Sequence, residues 1–303
     1  KNNFNLSDRD LLAGIKSSVI AFLNSSESKG DDLLKVIPNL PRIIFRNLIP
    51  NKVDSWGGNI PSWSKELSNT LMESISEANI SPDKNELKKL ASKATTSSIL
   101  QIINDSTIKT NGLLPSITPV DPSRKVASQE MSFGGTESFM KFDTEKTRLL
   151  EYTAKGLADG FFNNGSTPLS AENIKIYSQI LGESTISGAI EYLSSLEGDN
   201  SLFTYAVTKA LSTGLTLSAV YNSSSTEEYR ELLLAEIAAE SMSQAISSQV
   251  IISSISQQNG HLLNRLAESA SFGSAMGAQM ASVLDKSWEF EEGWELYNRN
   301  NLA

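Results

Sequence analysis

Cysteine is absent from this chain, and histidine occurs once, at His261. The first absence excludes disulfide frameworks and thiolate zinc sites and leaves the redox compartment open. The second makes every Ser-His-Asp or Cys-His scheme rest on one residue, in the stretch QQNGHLLNRL, for which no partner residues stand out. Metal centres of the histidine or cysteine kind are excluded by count, and no Asp/Asn/Gly calcium loop is present. Neither GGTES nor FGSAMG has the preceding strand and the lysine of a phosphate loop. No cofactor is therefore expected, and no catalytic, cofactor-binding or metal-binding residue is named.

Positive charge is also scarce. A formal net charge of −9, with a pI near 4.9, repels phosphate backbones and anionic membrane surfaces, and no Lys/Arg stripe offsets it, so nucleic acid is not an expected partner. Long apolar runs are missing too. The uncharged stretch SMSQAISSQVIISSISQQNG at 241–260 has the length of a membrane span but is largely Ser and Gln, so it reads as a helix buried between other helices. The opening KNNFNLSDRD has no initiator Met, which permits a mature product whose leader has been removed.

What is present is helical patterning. Apolar residues recur with a period near 3.6 at Leu11, Leu12, Ile15, Val19, Phe22 and Leu23, at Leu67, Leu71 and Ile75, at Leu149, Leu150, Leu157 and Phe161, and at Leu233, Ile237, Met242 and Ile246. Two-residue alternation is nearly absent. Helix starts are marked at Ser7 with Asp10, at Ser81-Pro82-Asp83 and at Ser170-Ala171-Glu172. The expected fold is all-α, a bundle of several helices. Proline and glycine interrupt the pattern over 38–63 and over 111–135, where NGLLPSITPVDPSR leads into SFGG. The second stretch is read as an irregular connection between an N-terminal helical unit, 1–110, and a C-terminal one, 136–303.

One theme recurs. ISPDKNELKKLASKATTSSILQII (80–103) aligns with LSAENIKIYSQILGESTISGAIEYL (169–193), and each follows another amphipathic helix across a short polar loop. A third copy runs from LLAEIAAESMSQAIS into GHLLNRLAESASFGSAMGAQMASVL. Three helix–loop–helix units result. Small residues at Ser187, Gly188 and Ala189, and at Gly273, Gly277 and Ala281, predict close approach of helix backbones. Units of this kind leave apolar faces that other units cover.

This pattern of a Ser/Ala helix, a short polar loop, a Ser-capped helix opening SAENI or SPDKN and a close-packed SGAI turn resembles the helical repeat domains of spider silk proteins, wrapping-silk and egg-case types above all. The resemblance spans 67–105, 149–196 and 232–284. It implies an extracellular, self-associating helical protein without catalytic residues, so none is carried over.

The segment LDKSWEFEEGWELYNRN stands apart. Phe290, Trp294 and Tyr297 fall at i, i+4 and i+7 among Glu289, Glu291, Glu292 and Glu295, an aromatic ridge with acidic flanks. Together with Trp288 these aromatics form the candidate interface, either closing the chain's own bundle or docking a partner. The expectation is a non-enzymatic structural or assembly protein whose partner is itself or a scaffold protein. Two alternatives remain: a helical interaction module of a virion or secretion apparatus, and a helical glycosidase or lyase acting through paired carboxylates.

Overall fold

A computed structural model describes residues 8–25, 60–78, most of 89–101, 122–142, 147–162, 170–197, 201–223, 228–256 and 260–283. Among the described residues there is helix and no strand, so the all-α bundle follows directly from the 3.6-residue patterning. The helices are α1 (Asp8–Ser25), α2 (Ile60–Glu77), α3 (Pro122–Phe142), α4 (Thr147–Phe162), α5 (Ala171–Ser194), α6 (Ser201–Ser223), α7 (Glu228–Ser256) and α8 (Gly260–Val283), with further helical residues between 89 and 101. None of these helices is long and apolar enough to cross a membrane.

Local signals act where they are written. Ser170 caps α5: its backbone is extended and its hydroxyl accepts from the Asn173 amide at 3.2 Å, with Glu172 in the first turn. Pro61 sits in the first turn of α2, where its missing N–H costs nothing. Ser7 and Ser81, the other expected caps, lie outside the described residues.

The helices pack in two rows, and the chain alternates between them. In the first row α2 lies against α3, α3 against α5, and α5 against α7; α1 lies on the other side of α2. The 89–101 helix, α4, α6 and α8 make the second row in the same way. From α2 onwards, and counting the 89–101 helix, each helix therefore has as its main neighbour a helix two places along the chain. Cross-row contacts join α6 and α8 to α7, α5 to α6, and α3 to α4.

Two expectations are corrected by this arrangement. Residues 122–135 are not an irregular connection but the first two-thirds of α3, which packs on helices from both sides of the expected boundary. Ser128, Ser132 and the pair Gly134-Gly135 are buried joints of that helix, and proline starts it instead of breaking it. Likewise α4 and α5, drawn as one hairpin unit, share little surface: α4 belongs between 89–101 and α6, α5 between α3 and α7. Residues 241–256 of the long uncharged stretch belong to α7, and Ile251 and Ile252 are exposed, so this part is buried on one flank only.

Close backbone approach is found at Gly188, Gly273 and Gly277, where small residues predict it, and also at Gly134, in the stretch expected to be a connection. A methyl group added at Gly273 would stand 2.5 Å from the Lys209 carbonyl oxygen, and one at Gly134 2.5 Å from that of Lys65. Gly188 meets the Gln129 carbonyl and Gly277 that of Thr213 in the same manner. Such contact leaves no room for a Cβ and brings Cα–H groups onto carbonyl oxygens.

The centre of the molecule is α4 and α6. Every residue from Tyr152 to Ala158, and every residue from Leu211 to Val220, is buried. Their apolar residues, among them Leu157, Phe161, Leu211 and Leu215, share one core with Met131, Leu181, Met242 and Ile246. Phe161 and Phe162 meet Tyr177 of α5 edge-on at 6.0 and 6.2 Å between centroids.

Candidate functional site

The densest polar chemistry lies inside, along α4. Glu151, Lys155 and Asp159 are four residues apart and so line one side of the helix. Neighbouring helices cover that side. Lys155 is fully buried; its Nζ lies 2.8 Å from Glu151 Oε1 and 4.0 Å from the centroid of the Tyr152 ring. Lys93, from the 89–101 helix, reaches Asp159 Oδ2 at 2.9 Å. Asn222 of α6 donates from Nδ2 to the other carboxylate oxygen, Asp159 Oδ1, at 2.8 Å and to the Ser218 carbonyl at 2.7 Å. Lys89 Nζ stands 5.7 Å from the Tyr152 ring. Charges from 89–101 and α4, with an amide from α6, thus form one internal ladder.

Burial dominates the electrostatics of this ladder. Loss of hydration pushes the Lys155 ammonium below the ordinary lysine value, and Lys93 pushes the same way; the charge and hydrogen bond of Glu151 and the charge of Asp159 pull it back. A lysine with a lowered pKa is the kind of amine that attacks carbonyl groups. Here its head group is held by Glu151 and the Tyr152 ring, with no exposed surface for a substrate to reach.

Hydroxyl groups make the remaining joints. Ser92 and Thr153 lie 2.6 Å apart between 89–101 and α4, and Ser128 and Ser184 2.5 Å apart between α3 and α5. Ser132 donates to the Thr185 carbonyl at 2.6 Å. On α6 and α8 the side chains of Ser212, Thr216, Ser218 and Ser274 are buried without a hydrogen-bond partner among the described residues.

A second group of charges lies on the outer side of α3 and α5. Burial, then the charge of Glu191, raises the Glu130 carboxyl, while Lys65 of α2 opposes the shift. Gln129 Nε2 donates to Glu191 Oε2 at 3.2 Å, and Lys65 Nζ stands 3.9 Å over the Phe133 ring. A raised carboxyl beside a second carboxylate is the raw material of general acid chemistry. Glu191 is exposed on its helix, whereas Glu130 is half-buried.

Trp288, Phe290, Trp294 and Tyr297, the candidate interface, lie outside the described residues. His261 is the second residue of α8, and its side chain is likewise outside them. The ladder around Lys155 is not among the residues singled out from the sequence. Its signal is the spacing Glu-x-x-x-Lys-x-x-x-Asp in LEYTAKGLAD, which on its own marks a solvated helix face. No protein-family model matches the chain, and no curated protein or solved structure matches it either.

Proposed function

We propose that the chain is a non-enzymatic structural protein, an extracellular helical scaffold that assembles with copies of itself or with another structural protein. The observation that carries this reading is where the polar chemistry goes. Asp159, Lys93 and the paired hydroxyls of Ser92, Thr153, Ser128 and Ser184 are spent on joining helices to one another, and the buried Lys155 is spent on Glu151 within its own helix. Polar joints of this kind, with glycine-to-carbonyl approach, suit a rigid body that works through its outer surface. The resemblance to silk repeats supports the same reading.

Light scattering coupled to size exclusion, run over a concentration series, tests it. Mass that rises with concentration is the expected result. A constant monomer mass up to the highest concentration overturns self-assembly. That second outcome favours the helical interaction module, for which the exposed Leu202, Ile251 and Ile252 provide apolar surface.

A further inference from the structure

The solvent side of α7 carries an ordered series of residues. Met242, Ala245 and Ile246 meet Gly182 of α5, and α6 and α8 pack on α7 as well. Away from these contacts Leu233, Glu236, Glu240, Gln244, Ser248 and Ile251 are all exposed. Their successive spacings of 3, 4, 4, 4 and 3 average one helical turn, so the six side chains stand in a straight line along the helix, about 27 Å from end to end. Leu233 is 54% exposed, Ile251 44% and the adjacent Ile252 61%, which places large apolar side chains in water at both ends of the line.

The line is complementary to itself when turned end for end. Leu233 and Ile251 lie nine residues on either side of Met242, Glu236 and Ser248 six, and Glu240 and Gln244 two. A second α7 laid antiparallel on the first, about a two-fold axis level with Met242, therefore sets Leu233 on Ile251, Glu236 on Ser248 and Glu240 on Gln244, and each contact occurs twice. Every carboxylate in the line then faces a donor. Gln244 Nε2 already donates to Glu240 Oε1 of its own helix at 3.0 Å, and the same amide has a second N–H, which the Glu240 opposite accepts.

We propose that this face of α7 is the surface through which two copies of the chain associate, antiparallel, with apolar contacts at both ends and a ring of two glutamates and two glutamines at the centre. A parallel pairing would set Glu236 on Glu236 and Glu240 on Glu240, and like charges oppose it. The contact is one helix wide, smaller than that of a permanent dimer, so the association is weak and depends on concentration. The proposal rests on the self-assembly reading and names the surface that assembly uses.

The chain has no cysteine, so single introduced thiols report the geometry. Leu233→Cys and Ile251→Cys both replace exposed residues. A mixture of the two full-length variants, mildly oxidised, is expected to give at least about tenfold more disulfide dimer than either variant alone, because unlike positions meet in the antiparallel pair while like positions stand about 27 Å apart. Equal yields from the mixture and from either variant alone overturn the proposal. Light scattering separates this failure from failure of the self-assembly reading. Leu233→Asp with Ile251→Asp is expected to stay at monomer mass, with unchanged helical circular dichroism, at concentrations where the mass of the parent has risen. If the double variant rises as the parent does, assembly uses another surface and the proposal fails while the self-assembly reading stands; a parent that stays monomeric overturns both.

Discussion

The Lys155 ammonium stands 2.8 Å from the Glu151 carboxylate one turn earlier on α4, and none of the lysine side chain is exposed. Two charges removed from water in this way hold each other in place without adding much net stability, because desolvation offsets their attraction. Glu151→Leu alone should destabilise the protein by about 3–5 kcal/mol, by leaving Lys155 buried without its carboxylate. Adding Lys155→Met should recover most of the loss. Urea denaturation of the two variants and the parent checks this; a double variant no better than Glu151→Leu contradicts it.

The same lysine sets a pH dependence. Its folded-state pKa is below the usual 10.5, so between the two values the unfolded chain binds the extra proton. Stability should therefore rise with pH across that window and level off above 10.5. Denaturation midpoints measured at pH values approaching 10.5 from below should climb in the parent and stay flatter in Lys155→Met with Glu151→Leu.

Glycines at helix contacts and glycines in the open should respond oppositely to alanine. Gly188→Ala or Gly277→Ala drives a Cβ into a backbone carbonyl and should cost about 1–3 kcal/mol. Gly14→Ala on α1 meets nothing within 4 Å and should stabilise by about 0.5–1 kcal/mol through helix propensity. Thermal or urea unfolding separates the two cases by sign.

α1 is held partly by charge. Lys16 Nζ lies 2.7 Å from Glu77 and 3.1 Å from Glu73 across to α2, beside the buried Ile15, Val19 and Leu23. The hydrogen bond that Lys16 donates to Glu77, ahead of the contribution of Glu73, raises the lysine above 10.5, so the stabilisation is complete below that pH and fades as pH rises through the folded value. Both partners are part-exposed, and Lys16→Met should cost no more than about 1 kcal/mol, shrinking further in high salt. A loss insensitive to salt would contradict the electrostatic account.

Glu130 behaves in the opposite sense to an ordinary paired carboxylate. Its folded pKa lies above 4.5, so the native state holds a proton the unfolded chain has lost, and stability falls as pH rises through the folded value. Glu130→Gln should therefore match or slightly exceed the parent at pH 7, by up to about 1 kcal/mol, and lose that advantage near pH 4. Paired denaturation curves at the two pH values measure it.

The local signals were legible. Ser170 caps a helix, Gly188, Gly273 and Gly277 are points of backbone contact, and Leu149, Leu150, Leu157 and Phe161 face the core. What the helical period could not reveal is which helices become neighbours. Proline in VDPSR marks a helix start as readily as a break, and the choice between them depends on whether the following residues find a partner. For Ser128, Ser132 and Gly134 that partner is supplied by α2 and α5, so α3 forms where a connection was expected.

The amino-acid order alone determined helix type, because a 3.6-residue apolar period, Ser caps and few β patterns act within one or two turns. It determined the absence of thiol chemistry, because composition needs no geometry. Only the tertiary structure decided the alternation of rows, since amphipathic helices of similar chemistry accept many partners and glycine-to-carbonyl fit selects among them. It also decided the fate of Glu151, Lys155 and Asp159. On an isolated helix their spacing makes a solvated face; here Lys93 and Asn222 from other helices bind Asp159, while Lys155 is buried against Glu151 within α4.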